Sequence, residues 1–149
     1  MEILLKKEGY QVKGYPTGKA AMGLFKSQAF DLVIADIRLR KIDGLELIRQ
    51  FKSVDEDIEI IVLTGSATIE SVVKAMRAKG AFDLLTKPME NIDQFFDSIA
   101  QALKQTKLNR EKKVFVQGLA QAKEKLEYHV EELTKELNKT REQSRSGAK

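Results

Sequence analysis

Residues 58–88 read IEIIVLTGSATIESVVKAMRAKGAFDLLTKP. The segment opens and closes on short apolar runs, 58–63 (IEIIVL) and 81–85 (AFDLL). Both are short for helices, the first is rich in β-branched residues, and both are expected as buried strands. Between them Ile69, Val72, Val73 and Met76 fall on one face at helical spacing. Gly80 follows at the position where a helix over 69–79 should stop. A strand, a helix and a second strand in about 30 residues form a crossover unit, which joins parallel strands with a right-handed turn.

The same grammar extends outward in both directions. Upstream, 30–35 (FDLVIA) is another buried-strand run, helical patterns cover 17–27 and 45–52, and a weaker strand signal, 10–15 (YQVKGY), ends at Pro16. Downstream, Ile92, Phe95, Phe96, Ile99 and Leu103 mark the apolar face of a helix that meets no Gly or Pro before Gly118 and is therefore expected to run on. Strands alternating with helices imply an open α/β parallel sheet covered on both sides. In such sheets the chemistry sits at the carboxyl ends of the strands.

Composition narrows the possibilities. A chain of 149 residues, 42% of them hydrophobic, suffices for one ordinary core and an appendage rather than two full domains. There are no cysteines and one histidine, so disulfides, thiolate metal sites and histidine-rich metal sites within one chain are excluded, and any metal must be held by oxygen. No stretch approaches the roughly 18–20 apolar residues of a membrane span, no signal-like segment opens the sequence, and a cytoplasmic protein without membrane partners is expected. Residues 1–104 carry fifteen basic and fifteen acidic side chains, whereas 105–149 carry eleven against seven, so the net charge of +4 resides in the tail. Its densest basic patch is Lys107, Arg110, Lys112 and Lys113. Aromatic interleaving and nucleic-acid motifs are absent, so the patch reads as a solvated helix face and nucleic acid is not an expected partner.

Three residues stand at the expected carboxyl ends: Asp36 after 30–35, Thr64 after 58–63, and Lys87 after 81–85. Singly each has an ordinary explanation: Asp36 as a turn cap, Thr64 as a helix cap, Lys87 as a solvated lysine beside Pro88. Together they supply a carboxylate nucleophile, a hydroxyl and a fixed cation. Phosphoryl transfer to an aspartate needs that set, the last two stabilising charge on the equatorial oxygens. Mg²⁺, which favours carboxylate, carbonyl and water oxygens, would ordinarily complete it.

The order DLVIADIRLRKIDGLELI (31–48), then IIVLTGSATIESVVKAMRAKGAFDLLTKP (60–88), resembles the receiver domain of bacterial response regulators over about residues 2–104. The resemblance implies a flavodoxin-like (CheY-like) open parallel sheet in a two-component phosphorelay. It casts Asp36 as the phospho-acceptor from a histidine kinase, Thr64 as the switch hydroxyl, and Lys87 as the phosphate-binding lysine before a proline that is cis in the family. Asp43 and Gly44 match the family's acidic-glycine turn. The implied Mg²⁺ would be held by Asp36 and the backbone carbonyl of Arg38.

The departures from the family pattern are specific. Receivers begin with a strand ending in two adjacent acidic residues that hold the metal, whereas this sequence starts at MEILLKKEGY, inside the family's first helix. The missing strand is the central one in the order 2-1-3-4-5. A fragment of a longer protein, a degenerate receiver kept as a platform, and a strand supplied by a partner each account for this; the retained strand-end chemistry favours the first. Weak Mg²⁺ binding and poor or absent phosphorylation of the isolated chain are expected. Arg40 stands where the family often has proline, and Leu84 where it has the switch aromatic.

The domain reading is 1–104 receiver-like without its first strand, 105–142 a helical or coiled-coil extension, and 143–149 (QSRSGAK) a disordered tail. Val116, Leu119, Lys123, Leu126, Val130, Leu133, Leu137 and Thr140 fit alternating a and d heptad positions over about three heptads, with Lys123 the charged exception. Self-association into a homodimer is the expected use, against a lone amphipathic helix as the alternative. His129 falls at a g position without the acidic residue and proline that accompany kinase phosphohistidines, and no phosphotransfer role is expected for it.

Two other classes compete. Haloacid dehalogenase-like phosphatases also place Asp, Thr or Ser, and Lys at strand ends, but need a second aspartate two residues after the nucleophile, where this chain has Arg38. Turnover as an enzyme is not expected. A non-phosphorylated oligomerisation or scaffold module is the other alternative.

Overall fold

The computed structural model describes residues 1–37, 43–65, 74, 77, 78 and 80–147, without the side chain of Asp43. The chain divides into two units, Met1–Asn109 and Arg110–Lys149.

In the first unit, β1 (Leu32–Ile37), β2 (Glu59–Thr64) and β3 (Asp83–Thr86) form a parallel sheet in the order β1-β2-β3. The register sets Ile37 beside Thr64 and Thr64 beside Thr86. The middle strand decides the architecture. Ile60, Ile61, Val62 and Leu63 are all fully buried, and successive side chains on a strand point to opposite faces, so the sheet is covered on both.

One face packs Ile60 and Val62 against Met22 and Phe25 of α2 (Gly18–Phe25) and Ile48 and Phe51 of α3 (Asp43–Val54). The other packs Ile61 and Leu63 against Leu5 of α1 (Glu2–Lys7) and Phe95, Ile99 and Ala102 of α4 (Ile92–Gly147).

Local chemistry sets the boundaries. Thr17 caps α2, its hydroxyl accepting the Ala20 amide at 3.2 Å, and Asn91 caps α4, accepting the Asp93 and Gln94 amides at 3.0 and 3.2 Å. Gly80 has φ +103°, a conformation that favours glycine, and a Cβ there would meet Lys52 Cε at 3.0 Å and displace that side chain. Of the helix read over 69–79, only residues 74, 77 and 78 are among the described ones, and they are helical. Ile69, Val72, Val73 and Met76 lie outside the described residues, as does Arg40.

Residues 10–15 form no strand, contrary to the sequence reading. Tyr10 and Val12 are half-buried against the cluster around Leu5, while Gln11 and Lys13 are exposed. The alternation that suggested a strand is therefore present without a ladder. A parallel strand needs a neighbour to satisfy its backbone. In the order 2-1-3-4-5 that neighbour is the central strand, and β1 has a single strand beside it among the described residues.

The apolar stripe of α4 follows the reading at Phe95, Phe96, Ile99 and Leu103, which pack on the cluster around Leu5, whereas Ile92 is exposed and Ser98, Ala102 and Thr106 are buried as well. Two of the buried positions are polar, and both are satisfied. Ser98 donates to Asp83 Oδ2 at 2.7 Å, and Thr106 Oγ1 accepts the Glu59 amide at 3.1 Å. Asn109 adds donations to the Asp57 carbonyl at 3.2 Å and to Glu59 Oε1 at 2.9 Å, so the amino end of β2 is tied to α4 by three hydrogen bonds. Thr106→Val keeps the shape and removes the acceptor, leaving the Glu59 amide unsatisfied. We expect it to lower stability by about 1–3 kcal/mol in urea denaturation. A loss under about 0.5 kcal/mol would mean that water reaches that amide.

In the second unit, residues 111–147 are exposed along their whole length. The helix reaches Gly147, so 143–147, read as disordered, are helical. Extending an existing helix adds a hydrogen bond per residue without a new nucleation cost, which outweighs a polar composition there. His129 Nδ1 donates to the Lys125 carbonyl at 2.7 Å, an ordinary bond of a helical side chain to the preceding turn.

Candidate functional site

The site is built by the ends of three strands. On β1, Ala35 and Ile37 are buried on one face and Asp36, between them, is exposed. Asp36 is the penultimate residue of the strand rather than the one after it, because β1 runs two residues further than its apolar run. Lys87 follows the last residue of β3 directly, and its amide donates to the Thr64 carbonyl at 2.7 Å. That bond continues the β2–β3 ladder by one residue and fixes where the lysine leaves the sheet. The Lys87–Pro88 peptide is cis, as the resemblance implied.

β1 and β3 flank β2, so their axes stand about 9–10 Å apart. Only a long side chain spans that gap, and the Lys87 ammonium does so, donating to Asp36 Oδ2. Both side chains remain partly open to solvent, 36% for Lys87 and 57% for Asp36. An ion pair this exposed is worth about 0–1 kcal/mol, so it accounts for little of the fold's stability.

The structure thus brings Asp36 and Lys87 together through their side chains, and joins Thr64 to them through its backbone. The Thr64 side chain is 2% exposed and, by strand alternation, belongs with Ile60 and Val62, whereas Asp36 belongs with Ile34. Thr64 is therefore enclosed by the protein and not open to solvent as Asp36 is. Leu84, which also belongs to the Ile60 and Val62 side, is half-buried against that core. Gly44 is buried at the start of α3. The Arg38 carbonyl read as a metal ligand lies outside the described residues.

Among the described residues no group of three or more His, Cys, Asp or Glu side chains is placed to hold a metal ion. Among the described residues Asp36 pairs with a cation, Lys87. One carboxylate does not match a hard dication that takes its ligands from several oxygens, so these donors do not fit a divalent-metal site.

No helix among the described residues is long and apolar enough to cross a membrane. The polar ties of α4, through Ser98, Thr106 and Asn109, were missed by the sequence reading. The available signal was a hydroxyl residue, Thr106, recurring on the stripe of Phe95, Ile99 and Ala102 at helical spacing.

Comparison with known proteins agrees with this architecture. A family profile described as "Response regulator receiver domain" matches residues 1–104. The transcriptional regulatory protein ZraR of Klebsiella oxytoca is 30% identical over 109 residues, 73% of this chain and 24% of ZraR. The chain thus spans about a quarter of the length of that curated relative. A response regulator protein from Burkholderia pseudomallei, solved with a phosphorylated aspartic acid, calcium ion and citrate, is 28% identical with a TM-score of 0.55, over 74% of this chain and 62% of that one. The beryllofluoride-activated NtrC4 receiver domain dimer, solved in solution, is 26% identical with a TM-score of 0.63, over 70% of this chain and 85% of that one. Receivers typically bind a divalent metal, and their relatives here are two-component regulators. With the profile covering residues 1–104, the parallel sheet between helices and the likeness to solved receivers, the chain belongs to the response regulator receiver domain family.

Proposed function

We propose that this chain is a phosphorelay signalling module of the cytoplasm in which Asp36 accepts a phosphoryl group from a histidine kinase, and whose C-terminal helix mediates self-association. The observation that carries the first part is the Lys87 ammonium donating to the Asp36 carboxylate across the middle strand. A carboxylate oxygen attacks the phosphorus of a phosphohistidine. The new O–P bond forms as the N–P bond breaks, and its electron pair returns to the imidazole, leaving an acyl phosphate on Asp36. Lys87, already at the carboxylate, offsets charge on the incoming phosphoryl oxygens.

The module accepts the group and does not turn it over: a hydrolase of the dehalogenase type needs a general acid where Arg38 stands. Thr64 is a switch hydroxyl in this reading. From its buried place it reaches the phosphoryl group only by rotating toward the strand ends, which couples modification to the packing of the β2 end. No step is assigned to Mg²⁺, because the described donors do not fit it.

The second part rests on the exposed apolar residues Val116, Leu119, Leu126, Val130, Leu133 and Leu137 at heptad spacing. The NtrC4 receiver, a relative, was solved as a dimer in its beryllofluoride-activated form.

A second reading, a scaffold module that is not phosphorylated, is favoured by the absence of a metal-binding cluster among the described residues. Intact mass after exposure to a phosphorylated histidine kinase, or to acetyl phosphate with Mg²⁺, separates the two. We expect one added phosphoryl group on the wild type, acquired slowly for want of metal ligands, and none on Asp36→Asn. No addition to folded wild-type protein would remove the acceptor role and leave the scaffold reading. Addition that persists in Asp36→Asn would place the acceptor elsewhere.

A further inference from the structure

We infer that the C-terminal helix pairs with a second copy of this chain as a parallel, in-register, two-stranded coiled coil. The inference rests on the self-association proposed above and names its geometry. Residues 111–147 are helical and exposed throughout, so Val116, Leu119, Leu126, Val130, Leu133 and Leu137 form an apolar seam that residues of this unit leave uncovered. Val114 and Tyr128, also exposed, fall at outer f positions and play no part in it.

The residue types at the seam select the arrangement. The a positions are Val116, Lys123, Val130 and Leu137, and the d positions are Leu119, Leu126, Leu133 and Thr140. β-Branched residues at a with leucine at d favour two parallel strands. A parallel, in-register pair places like with like. Leucine layers meet leucine layers, Thr140 meets Thr140 at the end of the seam, and the one charged position, Lys123, meets its own copy in an interior layer, where polar a residues set register. Each Lys123 ammonium lies 3.8 Å from Glu127 of its own helix, at the flanking e position, which draws the charge to the edge of the seam.

An antiparallel pair spanning the same heptads would instead set Lys123 against Leu133 and Val116 against Thr140. That spoils four layers in place of two. Flanking charge points the same way. In a parallel pair each g residue faces the e residue five positions on in the other helix, which sets Glu136 against Arg141 twice. In the antiparallel alternative e faces e and g faces g, which sets Arg141 against Ala120 and Glu136 against Phe115, and the charges have no partner.

The absence of cysteine makes the test direct, since a single introduced thiol has no competitor. Leu119→Cys and Leu133→Cys lie about 21 Å apart along the helix. An antiparallel pair sets at most one of them opposite itself, whereas a parallel in-register pair does so for both. The full-length variants, with Tyr128→Cys as an outward-facing control, are oxidised and run without reductant beside sedimentation of the wild type. We expect a dimer in sedimentation and a shift to covalent dimer for both leucine positions, with the control staying monomeric on the gel. A dimer in which one or neither leucine position cross-links would overturn the parallel register while leaving self-association in place. A monomer in sedimentation would overturn both.

Discussion

Replacing Phe95 by alanine is expected to remove about 3–5 kcal/mol of stability, as read from the midpoint of urea denaturation at unchanged slope. Phe95 is 1% exposed and sits in the cluster of Leu5, Ile61, Leu63, Leu85, Ile99 and Ala102. Its ring lies 5.5 Å from that of Phe96. The substitution both withdraws the ring's buried surface and leaves a cavity that a sheet face and two helices cannot close by collapse. Domains of this size hold about 5–15 kcal/mol in all, so the expected loss is about a fifth of the total or more. A loss below about 1 kcal/mol would show that α4 does not cover this face of the sheet in solution.

Replacing Lys87 by methionine is expected to slow phosphoryl transfer to Asp36 by about a hundredfold to a thousandfold, while changing stability by less than about 1 kcal/mol. The two expectations differ because the ion pair is judged against two states. In the resting protein it is exposed to water, which screens it. In the transition state the same ammonium lies where charge gathers on three phosphoryl oxygens. Methionine keeps an unbranched side chain of similar length, so the charge is the main thing removed. Lys87→Arg should recover part of the rate, since the charge returns on a planar, bulkier group. Time courses of intact mass read the rate, and urea midpoints read the stability. A rate within a few-fold of wild type for the methionine variant would remove Lys87 from the transfer step.

Much of the first unit was legible in advance for a simple reason. Strands β1, β2 and β3 announce themselves because a strand buried on both faces must be apolar throughout, and three such runs lie between helical patterns. The strand ends then placed Asp36, Thr64 and Lys87 at one edge of the sheet without any knowledge of contacts. The segment 10–15 shows the limit of that reasoning. Its alternation was real, and Tyr10 and Val12 do turn inward, but a strand is a property of two segments and no strand among the described residues pairs with it.

The stripe of α4 was read correctly at Phe95, Phe96, Ile99 and Leu103 but not at its start or in its polar members. Ile92 looked like its first apolar residue, yet the packed face begins at Phe95 and includes Ser98 and Thr106. Polar residues become core residues when a partner accepts their hydrogen bonds, and that partner, Asp83 or the Glu59 amide, is remote in sequence.

What the sequence determined by itself is therefore the set of local periodicities: three buried strands, the helices between them, the glycine at 80, and a heptad seam from 116. Each depends on neighbours a few residues away, so the chain carries it without folding. Only the tertiary structure decided which segments pair, that Lys87 crosses the middle strand to Asp36, that Thr64 is enclosed, and that α4 is tied to the amino end of β2. Each of those joins groups from different elements. Distances between such groups are set when the sheet and its two covering layers pack together, and no periodicity along the chain encodes them.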